Sequence, residues 1–132
     1  MRRWAIPRLA VLIAAMMTAC SATTAPRTDL LEVRRFGFRL ILENRTNEPI
    51  FYFAVESRTS ALIDWMGPCN DPTRSECRRV PAGETVSIPY SDISGYEPGA
   101  TEVNIHHWRL VVAGGITGYA VADLRLLRAR LR

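Results

Sequence analysis

The chain reads as an all-β protein, a small antiparallel sandwich or barrel. Short runs alternate apolar and polar residues with period two, Gly- and Pro-rich turns separate them, and no long helical stripe interrupts the body of the chain. About six to eight short strands joined in this way fit an immunoglobulin-like sandwich best.

Taken in order, Phe36, Phe38, Leu40 and Leu42 alternate with Gly37, Arg39, Ile41 and Glu43, which predicts a first strand. Asn44 to Pro49 (NRTNEP) is a turn-rich break. Phe51, Phe53 and Val55 then alternate with Tyr52, Ala54 and Glu56, so the two runs are expected to form a β-hairpin. Ala61 to Trp65 is expected as a short third strand. Val80-Pro81-Ala82-Gly83-Glu84 has the chemistry of a tight turn and leads into a strand over Thr85 to Tyr90. Ser91 to Ala100 is the longest turn-like stretch. Glu102 to Val112 is the strongest β segment, and Ile116 to Val121 is a further strand. Leu127 to Arg132 alternates strictly and favours a strand. Leu124, Leu127 and Leu131 behind Asp123 also match a helical stripe, so residues 123–132 stay open between the two.

A different pattern precedes this body. Met1 to Arg8 carries three arginines and no acid, and Leu9 to Met17 is nine apolar residues without a break. A membrane-spanning helix needs roughly 20 such residues, so the stretch is too short to span. A basic start, a short apolar helix and small residues behind it make residues 1–19 a secretory signal. Met17-Thr18-Ala19-Cys20 resembles the lipobox of bacterial type II signal peptides, with Met17 where leucine is usual. The resemblance implies cleavage before Cys20, a thioether-linked diacylglycerol on its sulfur and a further acyl chain on its amine. Ser21, rather than Asp, resembles the sorting preference for the outer membrane, facing the periplasm. The competing reading is ordinary secretion with cleavage at Ala19-Cys20-Ser21, which would discard Cys20. Ser21 to Thr28, interrupted by Pro26, reads as a flexible tether, leaving 29–132 as one β domain.

Cysteine arithmetic fits this division. With Cys20 given to lipid, Cys69 and Cys77 remain, and an oxidising compartment makes them a disulfide pair. The polar segment between them reads as a stapled surface loop; a redox or metal site would favour a C-x-x-C spacing that is absent. The net charge of +4 belongs largely to the leader, since its removal leaves 14 arginines against 13 acids. Such a balance argues against a nucleic-acid partner. Arg125, Arg128, Arg130 and Arg132 crowd the C-terminus, where they either guard an edge strand or meet anionic lipid head groups. There is no lysine in the chain, which excludes Schiff-base chemistry.

Candidate chemistry is sparse. His106-His107 is the only histidine pair. Neighbours in a regular strand face opposite ways, yet the apolar phase shifts from Val103 and Ile105 to Trp108, Leu110 and Val112. That shift predicts a β-bulge that would bring both imidazoles to one side as weak metal ligands. Ser94-Gly95 lacks the nucleophile elbow, and no catalytic set is placed by spacing. Tyr96, in the Gly-rich loop, is either a recognition residue or a loop anchor. Asn44-Arg45-Thr46 matches a glycosylation sequon and already serves as a turn. The sequence therefore leads to a lipid-anchored envelope protein with no enzymatic role and no cofactor. Its partners would be the membrane and another envelope protein or cell-wall component. A metal- or ligand-handling lipoprotein using His106 and His107, or a small envelope hydrolase, are the alternatives.

Overall fold

The structure, a computed structural model, describes residues 29–65, 67–114 and 118–132. The signal segment, Cys20 and the tether lie outside the described residues, as does Ile116. Seven strands occur among the described residues: β1 (Leu31–Phe36), β2 (Arg39–Asn44), β3 (Ile50–Glu56), β4 (Arg79–Val80), β5 (Thr85–Pro89), β6 (Glu102–Val112) and β7 (Tyr119–Arg130). They form two antiparallel sheets, β1-β2-β5 and β4-β3-β6-β7. In immunoglobulin lettering this order reads A-B-E against C′-C-F-G. Among the described residues both sheets have open edges, so the sandwich expectation holds and the barrel does not.

The inter-sheet core contains Leu40 and Leu42 from β2, Ile88 from β5, Ile50, Tyr52 and Ala54 from β3, and Val103 and Ile105 from β6. Alternation explains the selection, because every second side chain of a strand faces the opposing sheet. Leu131, just past β7, closes one end of the core and its carbonyl accepts a hydrogen bond from the Tyr90 hydroxyl at 3.2 Å.

Several expectations are corrected. The run from Phe36 is not one strand: Phe36 ends β1, Gly37 and Phe38 form a two-residue turn, and Arg39 begins β2. Gly37 has φ +57 while Phe38 does not turn positive, which is the type II′ pattern with glycine at the first loop position. The expected hairpin of the first two runs is also absent, since β2 and β3 belong to different sheets. Buried Asn44 sits at that crossing. Its amide donates to the carbonyls of Glu48, Val80 and Pro81, and its Oδ1 accepts from the Thr46 backbone and hydroxyl. The chain is thereby turned out of one sheet and into the other.

Residues 61–65 are not a strand. A short helix, α1 (Ser57–Ser60), precedes them, because the Glu56 carboxylate accepts the Thr59 N–H and caps a helical turn. At the other end of the chain, the alternative at 123–132 resolves as strand, with β7 continuous from Tyr119 to Arg130 rather than split into two strands. A bulge accounts for the mixed periodicity. His107 pairs with Arg125 but Arg109 pairs with Ala122, so Asp123 and Leu124 oppose Trp108 alone. Asp123 takes φ +55, in the left-handed region, as the first residue of a G1-type bulge does.

Candidate functional site

The bulge lies on β7, and β6 itself keeps a regular register with β3 from Val103 to Trp108. The expectation that His106 and His107 share a side is therefore corrected. His107 follows Val103 and Ile105 into the sandwich, where it is fully buried, whereas His106 lies outside with Trp108. The His107 Nε2 accepts the Leu30 N–H at 3.3 Å, which leaves Nδ1 to carry the proton and donate to the Ile105 carbonyl at 3.2 Å. Burial holds this imidazole below its ordinary pKa, against smaller opposing effects from the Ile105 carbonyl and Asp29. It is a neutral, satisfied core group that ties the entering chain to β6. Burial, and then the neighbouring His107, also lowers the pKa of His106. Among the described residues no three His, Cys, Asp or Glu side chains converge on one point.

The phase shift that suggested the bulge has a second cause: the outer face of this sheet is apolar too. Phe51 and Trp108 are buried there, with Phe53, Leu110 and Val121 beside them. Trp65, Cys69 and Cys77, from the connection between α1 and β4, pack against them. Trp65 stacks on Phe53 with ring centres 5.6 Å apart and reaches His106 at 4.5 Å. Cys69 and Cys77 are joined as a disulfide, as expected, and the Trp108 indole N–H donates to the Cys69 carbonyl at 2.9 Å. The bridge thus holds a lid on an aromatic patch. Tyr96 has folded back: it is half-buried with its ring 5.5 Å from that of Tyr90, and its backbone N–H donates to Ile93. It anchors the loop.

The surface best built for an encounter was not found from the sequence. A groove of about 350 Å³ opens along the side of the sandwich, between the edge strands β1 and β7. Leu31, Val33, Leu40, Leu127 and Ala129 give it an apolar lining. Four arginines, Arg34, Arg35, Arg128 and Arg130, also line it, against two acids, Asp29 and Glu32. Arg34 has a long 3.8 Å contact with Glu43; Arg35, Arg128 and Arg130 have no ion pair among the described residues. At the far end of β1 stands the Gly37 turn, with Phe36 75% and Phe38 81% exposed. The sequence carried a signal for this, the run Arg34-Arg35-Phe36-Gly37-Phe38-Arg39. Its aromatic alternation pointed to a single strand instead. Only the position of the turn exposes the rings.

A second pole contrasts with the first. Beyond its pairing with β3, β6 continues with β7 alone as a two-stranded ribbon, Arg109 to Val112 against Tyr119 to Ala122. From Leu110 to Ala122 the sequence contains no charged residue. Arg109 closes the ribbon's base by pairing with Asp123 and Glu48.

No protein-family model, curated protein or solved structure matches this chain at a significant level. Its function is therefore argued from this surface and from the sequence that precedes it.

Proposed function

We propose that the chain is an exported lipoprotein of the bacterial envelope, held at the outer membrane through Cys20, whose sandwich is a non-enzymatic docking module. Its working surface is the groove between β1 and β7. The observation that carries this reading is the excess of exposed arginine along an apolar groove whose lining begins at Asp29, the first described residue after the tether. A catalytic cleft concentrates perturbed acids, bases or nucleophiles. This groove instead offers fixed cations beside apolar surface, a combination suited to holding an anionic or amphipathic partner. A lipid anchor with several acyl chains keeps such a module at one membrane, because each buried methylene adds roughly 0.8 kcal/mol.

The anchor is tested by Cys20→Ser. The expected result is loss of acyl labelling and a shift from the membrane fraction to the soluble one, or retention of the uncleaved precursor. Unchanged acyl labelling of that variant sinks the lipoprotein assignment. The docking role is tested by capture from intact envelopes with wild-type protein and with Arg35→Glu/Arg128→Glu. A partner retained equally by both does not use this groove.

A further inference from the structure

We propose that the Gly37 turn and its surrounding arginines form a docking site for an anionic lipid surface, with the Phe36 and Phe38 rings entering the apolar layer and the guanidiniums meeting phosphates. The inference rests on the groove being the working surface and names its partner.

The turn is a rigid, projecting structure. Two residues connect β1 to β2, the Phe38 carbonyl accepts the Tyr90 N–H at 3.0 Å, and Arg39 Nε donates to the Ser87 hydroxyl at 2.6 Å. Phe38 meets the Tyr90 ring edge-on at 6.1 Å yet remains 81% exposed. Holding two large apolar rings in water is unfavourable, and a cluster of them on a monomer marks a contact surface. The turn is convex, so the rings have no concave pocket of their own to fill. A fluid apolar layer accepts such a tip without a preformed cavity.

Charge selects the kind of layer. Residues 33–42 hold three arginines and no acid, and residues 124–132 hold four arginines and no acid. The groove brings Arg34 and Arg35 of the first set together with Arg128 and Arg130 of the second. Glu102 lies opposite Arg130 in register, and its carboxylate accepts the Ser57 hydroxyl at 3.1 Å. Guanidinium groups pair with phosphate oxygens in a bidentate fashion, so a phosphate-bearing head-group layer complements this end. The ribbon at the opposite pole also exposes apolar side chains, Val112 and Tyr119, but Arg109 at its base is already engaged by two carboxylates.

Reach is sufficient. Extended chain covers about 3.3–3.6 Å per residue, so the tether from Cys20 to Thr28 spans up to roughly 30 Å, against roughly 20 Å for β1. The turn therefore reaches the bilayer in which the acyl chains sit.

The test uses residues 29–132, which contain both apolar clusters and every strand described here and so form the folding unit. Sedimentation is measured with neutral phosphatidylcholine vesicles and with the same vesicles doped with phosphatidylglycerol. Binding is expected to the anionic vesicles alone and to weaken as salt screens the charges. Phe36→Ser/Phe38→Ser should weaken it by roughly ten-fold per ring, and each Arg→Gln change at Arg34, Arg35 or Arg128 by about five-fold. Thermal melts of these surface variants should match wild type. Equal binding to neutral vesicles, indifference to the Phe changes, or loss through Val112→Ser/Tyr119→Ser alone would overturn the site. So would binding of soluble glycerophosphate as tight as that of vesicles. Failure of residues 29–132 to bind vesicles, while the full chain still takes an acyl label at Cys20, removes this site and leaves the anchor; vesicle binding by residues 29–132, when the full chain takes no acyl label, supports the site and removes the anchor.

Discussion

The two faces of the β4-β3-β6-β7 sheet are both apolar, but they are buried in different ways. The inner face meets another sheet, so Ile50, Ile105 and Val103 are covered by strands hydrogen-bonded along their length. Among the described residues the outer face meets Trp65, Cys69 and Cys77, held by the Cys69–Cys77 bridge and a few side-chain contacts. His107 and His106, consecutive in sequence, sample one environment each. The inner face stabilises the whole sandwich, whereas the outer face is as secure as its lid.

Ile105→Ala should have the largest effect. It empties a fully buried site between the sheets and is expected to cost about 2–5 kcal/mol, read as a lower urea midpoint with all probes moving together. Separate transitions for the two faces would show that they are independent units.

Cys69→Ser/Cys77→Ser opens a short ring and should cost about 2–3 kcal/mol on chain-entropy grounds. Trp65 emission should shift to the red as the lid loosens, while far-ultraviolet dichroism stays that of the β sandwich. Collapse of both signals together would mean that the lid supports the inner core.

Acidification should destabilise the fold. Both imidazoles are held below the ordinary histidine value, so the unfolded chain takes up protons before the folded one does. The stability they contribute is complete above about pH 6.5, the unfolded value, and is lost as pH falls from there through the folded values. Urea midpoints measured on either side of that pH should show the fall, and His107→Gln should flatten it. An unchanged slope in that variant would place the dependence elsewhere. The smallest effect is expected from Arg109→Ala. Its partners Asp123 and Glu48 are exposed, and exposed pairs contribute about 0–1 kcal/mol. A larger loss would show that the ribbon's base is needed for the sheet.

This two-sidedness also explains what the sequence disclosed and what it hid. Glu102–Val112 matches β6 as expected, because Val103 and Ile105 face the inner core, Trp108 and Leu110 the outer cluster, and β-branched residues recur along it. The same property disguised the position of the bulge: His107 inward and Trp108 outward mimic a phase slip in β6 that is really an insertion in β7. The β2–β3 hairpin failed because period-two patterning reports which side chains are buried, not which strand is the neighbour. The crossing depends on Asn44 reaching carbonyls at Val80 and Pro81, far along the chain. At the β1–β7 groove, the arginine-rich C-terminus is visible as composition. Phe36 and Phe38 alternate with Leu40 and Leu42 as one strand would, and only the turn at Gly37 separates them from that strand and leaves them exposed.

One detail of β7 bears on self-association. A twelve-residue strand with a free side is a template on which another extended chain can zip, and stacking of that kind leads to aggregates. The left-handed Asp123 interrupts that template, dividing it into two stretches whose unpaired amides and carbonyls no longer lie on one straight line.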